Sequence, residues 1–414
     1  MAEKTFTVPI GPIHPALKEI ESFILTVDGE RVIKVDLDLG YSHRGLEYVV
    51  THRCNPIQAI YIAERICGIC STSHPYAYVQ SMEHAADITP PERAEIIRAI
   101  IAELERIHSH ILWAGVAAHE IGFDTLLHWT WMIRENVLDV LETITGNRVS
   151  YAMYTIGGVR RDIDEKGIRQ IRASAKYYRE VFDKLVEVFV EDTTVKMRTR
   201  DIGILTREEA ERQVAVGPTA RGSGVPKDVR YDKPYSAYAD LEIYPILPDE
   251  FTHEETKGDV YDRIVVRIFE VLQSVHILED LCDLLETTPG PITYQQNLVV
   301  VLNQLKRAVG EGIGRHEAPR GEVFHYSMLN KREQPVVWKV RAPTYNNYAS
   351  WIPMMKGAQI ADIPIVIASI DPCLSCADRM TVVDERTGES KVMTLQQMRE
   401  MGWRKTKEIR RRVK

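Results

Sequence analysis

The chain is poor in cysteine, with six among 414 residues. So thin a set cannot build the disulfide framework of a small secreted fold, and it fits a reducing compartment. Positive charge is not in excess either. Lys and Arg number 52 against 59 Asp and Glu, a net charge of −7, which argues against a nucleic-acid partner. No run of about 18 apolar residues occurs, so no transmembrane helix is expected. The opening residues, Met1-Ala2-Glu3-Lys4-Thr5, lack the apolar stretch of a secretory signal. Internal repeats and low-complexity tracts are absent.

What is present is an ordinary globular composition, 44% hydrophobic and 27% charged, ample for a large core. Length alone suggests two or three domains. The cysteines argue for one, because the two halves of their site must meet in one core. Cys67-Gly68-Ile69-Cys70 lies near the front and Cys373-Leu374-Ser375-Cys376 near the end. Two residues between cysteines let both sulfurs turn toward one ion, and two such pairs make a four-thiolate site. That donor set suits zinc, an iron–sulfur cluster or a nickel–iron centre. Zinc ribbons place their pairs about 15–20 residues apart. Here roughly 300 residues intervene, so a large core must bring the pairs together. Neither pair has the surroundings of a thioredoxin-like redox motif.

The spacing of apolar residues predicts the elements. Residues 5–40 read as β, with Asp28-Gly29 between two alternating runs as a hairpin turn. Thr89-Pro90-Pro91-Glu92 reads as a helix start capped by Thr89, followed by Ile96, Ile97, Ile100, Ile101, Leu104, Ile107 and Ile111 at helical spacing. Further helices are expected from Asp124 to Thr145, stopping at Gly146-Asn147, over 164–190, and from Asp259 to about Leu285. These four make a bundle core. Residues 217–258 are broken by Gly and Pro and read as an irregular excursion, offering Tyr231, Tyr235, Tyr238 and Tyr244 to a partner or packing as a plain surface loop. Val336–Val340 is a strand. Ile363–Ser369 is an apolar run leading into the second cysteine pair. The fold class is mainly α with small β parts: a central long-helix bundle, an N-terminal β hairpin and peripheral short strands. His108 and His110 point to different faces of one helix, His119 and His128 lack paired ligands, and Cys54 and Cys282 are lone buried thiols.

Arg65-Ile66-Cys67-Gly68-Ile69-Cys70, with His74 four residues on, resembles the first cysteine motif of nickel–iron hydrogenase large subunits. Asp371-Pro372-Cys373-Leu374-Ser375-Cys376 resembles the second, and the resemblance extends over most of the chain. It implies the large-subunit hydrogenase fold and the reaction 2H⁺ + 2e⁻ ⇌ H₂. It implies that Cys67 and Cys373 bind nickel terminally, while Cys70 and Cys376 bridge nickel to an iron carrying carbon monoxide and cyanide. Arg320, in Glu317-Ala318-Pro319-Arg320-Gly321, resembles the arginine held over the metals, where a permanent charge can donate to cyanide. Pro343, Thr344 and Ser369 are further cyanide-contact candidates. His74 matches a histidine that hydrogen-bonds a bridging sulfur. Glu19 matches an N-terminal proton-relay glutamate, with Glu21 second. Glu47 resembles a magnesium ligand, but Arg379 stands where relatives carry a histidine ligand, so an Arg379–Glu47 ion pair is the alternative.

The tail after Cys376 is similar to the precursor tail of energy-converting, membrane-bound (group 4) hydrogenases and of formate hydrogenlyase. That likeness implies cleavage after Arg379 by a maturation protease, and metal loading by nickel-insertion proteins. It also implies peripheral attachment to the cytoplasmic side of the membrane, through a small subunit carrying an iron–sulfur cluster and integral-membrane, ion-translocating subunits. The N-terminal motifs resemble as well the complex I 49 kDa subunit, which shares the fold without the metal cysteines. The rival readings are a complex I-like quinone- or sulfur-reducing subunit and a zinc-holding scaffold.

Overall fold

Alternating apolar residues near the N-terminus form a three-stranded antiparallel sheet: β1 (Thr5–Ile10), β2 (Ser22–Asp28) and β3 (Arg31–Asp38), in that order. Phe23, Leu25 and Val27 of β2 point inward and are buried, while Asp28-Gly29 makes the expected turn into β3. The structure, a computed structural model, describes residues 5–378, 382–383, 390–391 and 395–412.

Three helices unannounced by the sequence patterns follow: α1 (Leu46–Arg53), α2 (Pro56–Glu64) and α3 (Ser73–Ala86). The bundle is then built from α4 (Glu92–Glu120), α5 (Asp124–Thr145), α6 (Glu165–Val186) and α7 (Val260–Thr287), close to the expected spans. α4 packs on both α5 and α7 and is buried along most of its length. Thr89 does not cap it. Pro91 occupies the N-cap in extended conformation with no side-chain bond, because two prolines hold the chain straight between Thr89 and the first turn. α5 stops at Gly146, whose φ of 85° is a left-handed conformation that glycine adopts without strain. α6 runs on into a π-helical turn, Glu187–Glu191.

Residues 217–258 are irregular, as expected, with only short helical turns. Two of their tyrosines are not offered to a partner. The Tyr238 hydroxyl donates to Glu103 at 2.8 Å and the Tyr235 hydroxyl lies 2.8 Å from His316 Nδ1. Buried carboxylates and imidazoles must be hydrogen-bonded, and these phenols supply the partners. Tyr231 and Tyr244 do stay exposed.

α8 (Leu298–Arg307) leads into a second antiparallel sheet, β4 (Val309–Ala318), β5 (Gly321–Asn330) and β6 (Val337–Arg341). β4 and β5 are ten residues each, in a sheet of three strands. Gly312 and Gly314 of β4 face α3: a Cβ on Gly314 would meet the Ala77 carbonyl oxygen at 1.8 Å, and one on Gly312 the Ser81 carbonyl oxygen at 1.9 Å. The missing side chains let the helix lie directly on the strand. The chain then passes through α9 (Ile363–Ser369) and α10 (Leu374–Ala377), which holds Cys376 and is preceded by Cys373 at its N-cap, and on to the exposed α11 (Leu395–Arg412). The Arg379-Met380 junction and the Arg379–Glu47 pair lie outside the described residues. No described helix is long and apolar enough to cross a membrane.

Candidate metal centre

The first cysteine loop hangs between two helices. Asn55 begins α2 with a reciprocal capping box, its side chain accepting from Gln58 N–H and the Gln58 side chain accepting from Asn55 N–H. α2 stops at Arg65, and Cys67-Gly68-Ile69-Cys70 turns before α3 begins. The Cys67 sulfur accepts the backbone N–H groups of Ile69 and Cys70, at 3.4 and 3.0 Å. These bonds turn the sulfur back over its own loop.

The second loop follows α9. Asp371 adopts φ 55°, an uncommon conformation for a side-chain-bearing residue, and so redirects the chain toward the first loop. Cys373 N–H donates to Thr344 Oγ1 at 3.0 Å. The Glu19 carboxylate accepts from Leu374 N–H, and from Ser375 N–H and Oγ.

The two loops meet as the spacing of the cysteines required. All four sulfurs are buried and free of disulfides. Cys67 Sγ lies 3.5 Å from Cys373 Sγ, which lies 2.7 Å from Cys376 Sγ. These three lie within 4.8 Å of one another, a ligand-like cluster. Cys70 completes the set, with its sulfur accepting from Arg320 at 2.7 Å. Hydrogen bonds from Cys373, Cys376 and Cys70 hold the Cys67 thiol well below its usual range, whereas burial and the neighbouring sulfurs push Cys376 well above it. Buried sulfurs this close cannot all ionise unaided, since like charges in a dry site repel. A soft cation among them removes that obstacle, so the donor set fits a thiolate-bound metal.

Arg320 stands at the tip of the β4–β5 hairpin, next to Gly321. Its guanidinium donates to the Asp371 carboxylate at 2.7 Å, to the Asp371 carbonyl at 2.8 Å and to Ser109 Oγ at 3.3 Å. One arginine thus joins the hairpin, α4 and both cysteine loops. Burial alone would lower its pKa, but Asp371 and then Cys70 more than offset this. Asp371 as its partner was not foreseen, nor was Arg44. The Arg44 guanidinium donates to the carbonyls of Arg65 and Ile66, at 2.9 and 2.6 Å, and of Ser375 at 2.7 Å, tying the two loops together from outside.

The remaining expected residues fall around this centre. His74 is buried, with Nδ1 3.1 Å from His325 Nε2, and Trp338 donates to His325 Nδ1 at 3.2 Å. Pro343 and Thr344 begin a short buried turn. Ser369 Oγ donates to the Val366 carbonyl at 2.7 Å. Glu47 is further out, pairing with Lys339 at 2.9 Å and accepting from Val340 N–H at 3.1 Å. On α4, the wholly buried Glu105 accepts from Thr72 N–H at 2.8 Å and from Thr72 and Ser73 hydroxyls, which anchors the start of α3. No sequence signal marked it.

Glu19 and Glu21 line one cavity of about 340 Å³ with Cys373, Arg320, Ile69, Leu112 and Trp113. They reach it from the loop before β2. Glu21 is 1% exposed and its Oε2 has no partner among the described residues. Burial, then the nearby Glu19 and Asp378 carboxylates, pushes its pKa up to about 8.

This combination of long-helix bundle and convergent Cys-x-x-Cys loops defines a hydrogenase-type large subunit, and comparison with known proteins agrees. The description "Nickel-dependent hydrogenase" matches residues 44–114, and "Respiratory-chain NADH dehydrogenase, 49 Kd subunit" matches residues 120–379. The membrane-bound hydrogenase subunit alpha of Pyrococcus furiosus is 49% identical over 98% of this chain and 95% of its own length. Formate hydrogenlyase subunit 5 of Escherichia coli is 37% identical over 96% of this chain and 67% of its own length. A solved subunit of the membrane-bound sulfane sulfur reductase, an archaeal respiratory membrane complex, superposes with a TM-score of 0.83 at 29% identity, covering 92% of this chain and all of that one. The chain belongs to the family of nickel-dependent hydrogenase large subunits and respiratory-chain 49 kDa subunits, and is a homologue of membrane-bound hydrogenase large subunits.

Proposed function

We propose that this chain is the catalytic large subunit of a membrane-bound nickel–iron hydrogenase. The observation that carries the reading is the meeting of four buried thiols from opposite ends of the chain, with Arg320 on one of them. Cys67, Cys70, Cys373 and Cys376 would hold nickel and an iron bearing carbon monoxide and cyanide. When bound, that pair supplies the redox-active centre for 2H⁺ + 2e⁻ ⇌ H₂.

The protein's own groups do the rest. Arg320 brings a permanent positive charge and spare N–H donors to the centre, which suits cyanide contact, with Pro343, Thr344 and Ser369 as further contacts. His74 would support a cysteine sulfur of the loaded centre, with His325 orienting its ring. The thiol of Cys373 is the first proton holder. Glu19, fixed against the Leu374–Ser375 backbone, takes the proton on, and Glu21, whose Oε2 has no partner among the described residues and which lines the same cavity, stands next along the route. The raised pKa of Glu21 lets it hold a proton at neutral pH and still release it.

Beyond the four, only Cys54 and Cys282 remain, too few thiolates for an iron–sulfur cluster. Electrons therefore come from a partner small subunit, and ion-translocating membrane subunits complete an assembly at the cytoplasmic face. The catalytic domain spans residues 1–379, and 380–414 is removed after nickel insertion. Glu47, already engaged by Lys339, would bind magnesium only by giving up that pair.

A second reading, a sulfur-reducing subunit that retains the cysteines, is favoured by the likeness to the sulfane sulfur reductase subunit. Metal analysis and hydrogen assay of the purified complex separate the readings. About one nickel and at least one iron in this subunit, with hydrogen evolution, is the result expected. Zinc alone would leave only the scaffold, and nickel–iron without hydrogen turnover would favour sulfur reduction.

A further inference from the structure

Arg267, on α7, is fully buried behind the second cysteine loop. Its guanidinium carbon lies 3.9 Å from the centroid of the Trp113 ring on α4. Trp113 in turn donates to the Ala368 carbonyl at 2.7 Å. Two Arg267 N–H groups donate to backbone carbonyls, of Ser369 and of Arg263, each at 3.0 Å. Nε has no partner. Among the described residues no carboxylate pairs with it. Glu270 is taken by Arg221 at 2.6 Å and Asp371 by Arg320 at 2.7 Å.

A dry, unpaired cation is expensive to bury, and a fold retains one only with an opposing charge nearby. The charges acting on Arg267 do not balance: Arg263, Arg267 and Arg320 face the carboxylates of Asp371 and Glu270, and Glu270 is already held by Arg221 and His110. Burial even pushes the Arg267 pKa down to about 9, with Asp371 the strongest opposing influence. The missing anion is supplied when the thiols become thiolates. Four thiolates around one divalent ion remain net negative, and so do four thiolates around two divalent ions with two cyanides.

We infer that Arg267 is the built-in counter-charge of the loaded metal centre, acting on it through its field and through the Ser369 carbonyl ahead of the second cysteine loop. It touches no reacting atom and is a positioning residue. The inference rests on the thiols holding a metal. A nearby positive charge favours the more negative, reduced form of a redox centre and so raises its potential.

The test uses the assembled, metal-loaded complex with Arg267→Met, Arg267→Gln and Arg267→Lys. Arg263→Met serves as control, since that buried arginine donates to the carbonyls of Gly258 and Gly203. The readouts are the midpoint potential of the nickel centre and the rate of nickel loss to a chelator. The neutral variants should shift the potential to more negative values and release nickel at least tenfold faster. The Lys variant should stay near wild type, and the control should leave the potential unchanged. A neutral variant that loads nickel and keeps the wild-type potential and retention overturns the inference, as does an equal shift in the control. Should neither neutral variant fold, a Lys variant that shifts the potential as far as complete charge loss would predict overturns it too. Wild-type protein that holds no nickel would instead remove the metal reading beneath it.

Discussion

Replacing Glu21 by Gln should change how the stability of the metal-free chain depends on pH. Glu21 is buried, with one oxygen unpartnered among the described residues, and its pKa rises from 4.5 to about 8 on folding. Between those values the folded chain binds a proton that the unfolded chain has released. The stabilising contribution is therefore complete below the unfolded pKa and is lost as pH rises through the folded one. From pH 5 to pH 8, three units at about 1.36 kcal/mol each, less the curvature at both ends, give roughly 3.5 kcal/mol. Glu105, about 8, and Glu317, about 7, carry the same sign, so the total slope is not diagnostic and the difference between variants is. Urea unfolding of wild type and Glu21→Gln at several pH values should show wild type losing about 3.5 kcal/mol more over this range. Parallel curves would refute the burial argument and with it the place of Glu21 in the proton route.

Cys373→Ser should abolish hydrogen turnover and reduce bound nickel severalfold, because a hydroxyl is a poor substitute for a soft thiolate; metal analysis and a hydrogen electrode check both. Glu19→Gln should leave metal content intact while hydrogen evolution falls by about two orders of magnitude or more, the worth of a positioned acid–base group. If only Glu21→Gln slows the enzyme, the relay belongs to Glu21. Gly314→Ala should destabilise by about 3 kcal/mol, at the upper end for overpacking, since its Cβ would meet the Ala77 carbonyl at 1.8 Å; a denaturant midpoint unchanged from wild type contradicts the direct helix-on-strand contact. The intact mass of active enzyme should correspond to a chain ending at Arg379, and full activity in a chain ending at Lys414 contradicts processing.

Much of this architecture is legible in the amino-acid order because long periodic elements and paired cysteines carry their own signal. α4 and α5 announce themselves by apolar spacing, and α5 by its terminal glycine. The β4–β5 hairpin does not. Alternate glycines in Val309-Gly310-Glu311-Gly312-Ile313-Gly314 read as a weak strand, since the side chains that would mark one face are absent to admit α3. Tyr235 and Tyr238 look like a contact surface until the buried groups they satisfy, His316 and Glu103, are seen in three dimensions. Arg320 could be picked out only by resemblance, and its bond to Asp371 joins residues far apart in the chain. Arg44, Glu105 and Arg267 likewise act on groups distant in sequence, and no local motif reports that.

Because the sulfur cluster draws on both ends of the polypeptide, it forms late in the life of a nascent chain. At about 5–20 residues per second of synthesis, Cys70 emerges roughly 15–60 s before Cys373. For all that time the first loop, with Arg320 and Asp371 still to come, has half its ligands and little of its charge environment. A prematurely terminated chain cannot assemble the four-sulfur set at all. Metal occupancy would thus report that translation had passed Cys376 and that this segment had found its place among the helices made first.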